Sequence, residues 1–82
     1  MAAHKNVIKD WLNEALEKGA THMLTVWDTY DHADYPVFVM PDEDVHIVYE
    51  KFKNDQMQRV MEVYDMSCNL EDQLNTNRVM NI

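Results

Sequence analysis

The chain has one cysteine and one glycine among its 82 residues, and each scarcity excludes a class of site. Because Cys68 stands alone, it cannot form an intrachain disulfide, and a small zinc fold would need several more cysteines. Gly19 is the only glycine, so no Walker loop, glycine-rich phosphate cradle or G-x-S-x-G nucleophile turn is present. We therefore expect a protein that is not an enzyme and that holds no cofactor or metal.

Basic residues are also scarce, with 7 lysines and arginines against 15 acidic residues and a net charge of −8. No basic stripe is available to neutralise phosphates, so we expect no direct nucleic-acid partner and no anionic membrane surface. The longest uncharged apolar-rich run, residues 20–27, is too short to span a bilayer. No signal-peptide pattern opens the chain. With the lone cysteine, these features predict a cytoplasmic protein.

The shortage of bases is most pronounced between Gly19 and Glu50, where the sequence has no lysine or arginine. A region of one sign attracts basic partners, and aromatic rings beside carboxylates can hold a cation or anchor an interface. We therefore predict a protein with a basic surface as partner. The predicted contact residues are Trp27, Asp28, Tyr30, Asp31, Asp34, Tyr35, Asp42, Glu43 and Asp44.

The spacing Asp28-x-x-Asp31-His32-x-Asp34 also offers oxygen ligands suited to Mg²⁺, Mn²⁺ or Ca²⁺. It lacks the glycine and the distal glutamate of a calcium-binding EF loop. We interpret it as a polar turn, in which aspartates bond to neighbouring backbone amides.

Periodicity predicts a single α+β domain of order α-β-β-α-α. Apolar residues at helical spacing predict helices over 3–18, 42–53 and 55–66, and Gly19 is placed to end the first. Residues 21–30 and 35–40 are rich in valine, threonine and aromatics, which predicts a β-hairpin. Asp42 is the expected cap of the second helix. Residues 67–82 read as a weakly structured tail, with one short helix near 71–75.

A two-stranded sheet is marginal by itself, and helices on one face would leave the other face bare. Pairing of edge strands between copies would solve this problem, so we expect a homodimer or a higher oligomer.

Two functions other than contact with a basic protein stay open. An oligomeric sponge could sequester a nucleotide-like signal in a pocket at the oligomer interface, with Lys53 or Arg59 meeting a phosphate. The residues predicted to line that pocket are Thr21, His22, Trp27 and Tyr30. A structural interaction module without an inhibitory role would leave the acidic turn merely solvated.

Two segments, GATHMLTVWDTYDHADYPVFV (residues 19–39) and MQRVMEVY (57–64), carry a resemblance to known sequences. They look like a group of short proteins of bacteriophages, prophages and related mobile elements to which no activity is attached. The resemblance covers most of the chain from Trp11 onward. It implies a bacterial host cytoplasm and, since small acidic phage proteins often block host machinery or defence, an inhibitor of a host factor. It assigns a role to no individual residue.

Overall fold

The computed structural model describes residues 5–82 and shows an α+β domain of order α-β-β-α-β-α. The predicted α+β class is confirmed. The elements are α1 (Lys5–Lys18), β1 (His22–Asp28), β2 (Ala33–Val39), α2 (Val45–Lys53), β3 (Gln58–Asp65) and α3 (Leu70–Leu74). None of the helices in this described part is long and apolar enough to cross a membrane.

Helix α1 follows the predicted span of 3–18 from Lys5 onward, and residues 3 and 4 lie outside the described part. Its buried stripe consists of Ile8, Leu12 and Ala15, as expected for an amphipathic helix. The helix ends because Gly19 takes a φ of +76°, a left-handed conformation that glycine adopts without strain. Its amide then donates to the carbonyl of Leu16 at 3.2 Å.

The predicted hairpin is present, with β1 and β2 at residues 22–28 and 33–39 rather than 21–30 and 35–40. The two strands pair antiparallel from His22 opposite Val39 to Asp28 opposite Ala33. Strand β1 is central in the sheet, whose order is β2-β1-β3. Pro36 lies in the edge strand β2, where a missing backbone donor is tolerated.

The predicted third helix over residues 55–66 is wrong, because this segment forms strand β3. Thr25 pairs with Glu62 but Val26 pairs with Val60, so Met61 is an extra residue at a β-bulge. The bulge brings Val60 and Val63 to the same face although they are three positions apart. That spacing imitates a helical repeat, which explains why periodicity alone misassigned the segment.

Both faces of the sheet are covered within one chain. Helices α1 and α3 pack on the face that carries Met23 and Tyr64, and α2 packs on the face that carries Leu24 and Val63. The third strand also comes from the same chain. The expectation of a two-stranded sheet with one bare face is therefore wrong. Oligomerisation stays a prediction, but an uncovered sheet face no longer supports it.

Residues 67–82, predicted as a weakly structured tail, pack onto the domain. Helix α3 agrees with the expected short helix near 71–75. Its Leu70 and Leu74 pack against the core cluster that contains the buried residues of α1. Beyond it, Val79 is buried, and its carbonyl accepts the amide of Val63 at 2.8 Å. The C-terminal segment thus pairs with β3 over a short stretch, parallel to it.

Candidate functional site

The hairpin tip, residues 28–32, is a tightly bonded turn. Asp28 Oδ1 accepts the amides of Tyr30 at 2.8 Å and Asp31 at 3.2 Å, which is the predicted polar-turn interpretation of this segment. His32 closes the turn with a φ of 54°, in the left-handed region. Asp28 therefore shapes the tip, and its carboxylate is engaged with the backbone.

Tyr30 and Asp31 project from this tip. The Tyr30 side chain is 77% exposed, the largest exposure among the bulky apolar side chains of residues 5–82. Asp31 beside it is exposed as well. Tyrosine combines an apolar ring with a polar end and is enriched in binding surfaces. The tip thus offers an aromatic anchor next to a carboxylate.

A second loop braces the hairpin tip from the side. Thr29 donates to the carbonyl of Met57 twice, from its amide at 2.8 Å and from its hydroxyl at 2.7 Å. Met57 is itself 48% exposed, so it adds apolar surface beside the tip. Met57 is not among the predicted contact residues, because residues 55–66 were predicted to be helical. A strand at 58–65 would have placed Met57 beside the turn.

Trp27 lies in the last part of β1, between Asp34 on β2 and Arg59 on β3. Directly paired residues of neighbouring strands share a face, so these three side chains form a row across the sheet. The ring of His32 lies 6.1 Å from the Trp27 ring. Trp27 is partly buried and Arg59 is exposed. Residues 19–50 contain no lysine or arginine, but the pairing of β1 with β3 places Arg59 beside Trp27 in this region.

Asp34 and Tyr35, two of the predicted contact residues, are partly buried and so less accessible to a partner than expected. Asp34 Oδ1 is buried and has no hydrogen-bond partner within residues 5–82, and burial raises the pKa of this carboxyl. The Tyr35 ring points to the other face and contacts Phe52 edge-on at 6.5 Å. Burial, followed by the charges of Asp28 and Asp55, raises the pKa of Tyr35. Tyr35 thus anchors the hairpin to α2.

The remaining predicted contact residues lie at the far end of β2. Residues 41–44, here called the cap loop, follow the strand end opposite the tip, and seven residues of strand span about 20 Å. Asp44 caps α2 by accepting the amide of His46 at 2.8 Å, so the expected cap at Asp42 is wrong. Glu43 accepts the amide of Met40 at 3.0 Å. The backbone bond from His46 lowers the pKa of Asp44.

Four of the residues predicted for a small-ligand pocket separate into two pairs. His22 is the first residue of β1 and Thr21 precedes it, and Thr21 Oγ1 lies 3.1 Å from His22 Nδ1. Lys53 and Arg59 line one cleft at the other end of the sheet, together with Tyr49 and Asp55. The fold of one chain therefore does not bring the four into one pocket.

No group of three or more histidine, cysteine, aspartate or glutamate side chains is placed to hold a metal ion in the described part of the chain. The three aspartates of the proposed metal spacing have different surroundings. Asp28 accepts backbone amides of the turn, Asp31 is exposed, and Asp34 is partly buried. Cys68 is a free, exposed thiol.

Comparison with known proteins adds no family to these observations. No protein-family model, no curated protein and no solved structure matches the chain.

Proposed function

We propose that this chain is a non-enzymatic binding protein of phage type that inhibits a host factor by contact with a basic protein surface. Anti-phage defence is the setting we propose for this inhibition. The observation that carries the proposal is Tyr30, an aromatic ring 77% exposed between Asp28 and Asp31 at the hairpin tip. The phage assignment rests on the sequence resemblance alone.

The bonding of the tip supports this role. Asp28 fixes the turn by accepting the amide of Tyr30, and the hydroxyl of Thr29 holds the tip to the neighbouring loop by donating to the carbonyl of Met57. A contact group held in place before binding loses less conformational freedom on association, which favours affinity. Tyr30 and Met57 supply apolar contact, and Asp31 supplies charge for a basic partner.

The proposed binding surface extends from the hairpin tip to the cap loop. A typical stable interface covers about 800 Å² on each partner. The hairpin tip and the cap loop are about 20 Å apart along β2, so one partner of ordinary size reaches both. In this arrangement Tyr30 and Asp31 make the central contact. Asp42 and Glu43 belong to a polar rim, where charges steer association more than they hold the complex.

The test uses a double variant, Tyr30→Ser with Asp31→Lys, which spares the turn-forming Asp28. Its matched control is Ile47→Ser with Asp10→Lys, because Ile47 on α2 is 69% exposed and Asp10 on α1 is exposed too. The Kd for the host protein that co-purifies with the parent is measured for each chain. We expect at least a tenfold weaker Kd for the hairpin variant and little change for the control. Equal affinities of parent and hairpin variant would end this assignment.

A nucleotide sponge is the second candidate. The observation in its favour is a cleft of about 430 Å³ that is lined by Lys53, Arg59 and the ring of Tyr49. Lys53 Nζ lies 5.6 Å from the centre of that ring. Asp55 in the same cleft opposes a phosphate. This candidate predicts a nucleotide-sized mass bound to the purified protein and lost in Arg59→Gln.

The third candidate, a structural interaction module, predicts that substitutions at the tip change stability and no binding. The hairpin variant and its control distinguish it from the proposed inhibitor, since both variants would then bind as the parent does.

A further inference from the structure

The end of the sheet around Met57 carries two unlike surfaces next to each other. One is the hairpin tip, which Thr29 joins to Met57 by two hydrogen bonds. The other is the cleft of about 430 Å³ that is lined by Gln58, Lys53 and Arg59. Strands β1 and β3 are paired, and paired strands lie about 4.8 Å apart. The tip and the cleft therefore adjoin, and Met57 stands at the boundary between them.

The cleft combines two cations with one carboxylate. Lys53 and Arg59 are exposed, and neither forms an ion pair within residues 5–82. Asp55 accepts the amide of Met57 at 2.8 Å and the side-chain amide of Gln58 at 3.0 Å. A carboxylate has about four acceptor positions, so Asp55 can accept further bonds. A group that fits this cleft brings a carboxylate for the cations and a hydrogen-bond donor for Asp55.

The hairpin tip of the same chain offers this combination. Asp31 uses its backbone amide to bond to Asp28, which leaves its exposed carboxylate available for a cation. Tyr30 beside it is 77% exposed, its hydroxyl is a donor, and its ring can lie against a cation. Because Thr29 fixes the tip beside Met57, the tip cannot enter the cleft of its own chain. It matches the cleft of a second copy.

We propose that the chain forms a two-fold symmetric homodimer in which the tip of each copy occupies the cleft of the other. Every contact occurs twice in such an interface, so both complementary surfaces must lie side by side on one copy, as they do here. Asp31 pairs with Arg59 of the partner subunit, and Tyr30 donates to Asp55 of the partner subunit. Met57, which is 48% exposed, lies between tip and cleft and meets its own counterpart near the axis.

The dimer covers Tyr30 and Asp31, the residues proposed to contact a host protein. A basic host surface would therefore take the place of Lys53 and Arg59 of the partner subunit. The dimer rests on the charges and the geometry of this chain alone, so it stands or fails separately from the proposed function.

Sedimentation equilibrium of the purified full chain measures the dimer. Asp31→Arg sets guanidinium groups against each other, and Arg59→Asp sets carboxylates against each other. We expect each variant to dimerise at least tenfold more weakly than the parent. An equimolar mixture of the two should restore a 1:1 dimer, because both contacts then join a guanidinium to a carboxylate. The controls Asp10→Arg and Lys9→Asp make the same charge changes at exposed positions of α1 and should dimerise as the parent does.

Several results would overturn the dimer. A parent that stays monomeric at millimolar concentration would do so, as would two variants that stay monomeric after mixing. Polymers longer than a dimer in the mixture would show a head-to-tail contact and contradict the two-fold arrangement. Equal weakening by the α1 controls would show that net charge, and not this contact, governs assembly.

One variant separates the dimer from the proposed function. Arg59→Asp should lose the dimer and keep the co-purifying host protein, because the proposed host contact uses the tip. A restored dimer in the mixture, together with a parent that binds no host protein, would overturn the proposed function and leave the dimer supported.

Discussion

At the scale of single residues, Gln73 connects three parts of the domain. It is only 4% exposed, and its Oε1 accepts the amide of Asp65 at 2.8 Å and Asn81 Nδ2 at 2.6 Å. Its Nε2 donates to the carbonyl of Asp65 at 2.8 Å. A single side chain thus joins α3, the end of β3 and the C-terminal segment. Polar groups buried in this way are favourable only while every partner is present.

Gln73→Leu should therefore destabilise the fold by about 2–3 kcal/mol, because it leaves the partly buried backbone amide and carbonyl of Asp65 without Gln73 as their partner. Urea unfolding measures this change. The control is Gln56→Leu, since Gln56 is exposed, and it should change the unfolding free energy by less than about 0.5 kcal/mol. Equal effects of the two substitutions would contradict the role given to Gln73.

Asp34 gives a prediction about pH. Burial raises the pKa of its carboxyl above the ordinary value of 3.8, so the folded state disfavours the charged form. This residue therefore lowers stability once the pH exceeds its folded pKa, and the effect disappears below 3.8. Asp34→Asn should have a higher Tm than the parent at pH 7, and the difference should vanish in acid. A lower Tm for Asp34→Asn at pH 7 would mean that the carboxylate has a favourable partner.

At the scale of elements, α1 and the hairpin followed from the sequence because each has the simple period of its type. Ile8, Leu12 and Ala15 keep one helical stripe, and Gly19 ends it. Strand β3 did not follow, because the bulge at Met61 gives a strand the apolar spacing of a helix. Burial of Val79 depends on contacts across the fold, for which a single sequence has no local signal.

The cap of α2 yields a second pH prediction, opposite in sign to that for Asp34. The backbone amide of His46 holds the pKa of Asp44 below 3.8, so the charged form stabilises the helix above that pH. Asp44→Ala should reduce Tm at pH 7, and Asp44→Asn should reduce it less, since asparagine keeps the acceptor. The parent and Asp44→Asn should converge as the pH falls through the folded pKa. A constant difference at all pH values would refute a charge effect.

The C-terminal segment is expected to be part of the cooperative fold. Val79 is 5% exposed and accepts the amide of Val63, whose carbonyl accepts the amide of Asn81 at 3.0 Å. Val79→Ala should cost about 1.5–2.5 kcal/mol from lost burial and a small cavity. Hydrogen exchange should show the Val63 amide protected in the parent. Rapid exchange at Val63 would mean that the segment opens separately from the sheet.

At the scale of the whole molecule, the sequence predicted the acidic character but not its distribution. The tip and the cap loop lie at opposite ends of β2, and Arg59 lies beside the tip through the pairing of β3. Of the nine predicted contact residues, Tyr30 and Asp31 are the ones that the turn presents openly. Three others accept backbone amides of their own chain, namely Asp28, Glu43 and Asp44. The spacing of acidic residues does not show whether a carboxylate caps a turn or helix in this way or contacts a partner.

Native mass spectrometry of the untagged protein purified from bacterial cells tests the central claim most directly. The proposed inhibitor predicts a complex with a host protein that is present for the parent and for the Ile47→Ser, Asp10→Lys control. The complex should be lost in the Tyr30→Ser, Asp31→Lys variant. Retention of the same host protein by the hairpin variant, or a nucleotide-sized mass as the sole addition to the parent, would contradict it.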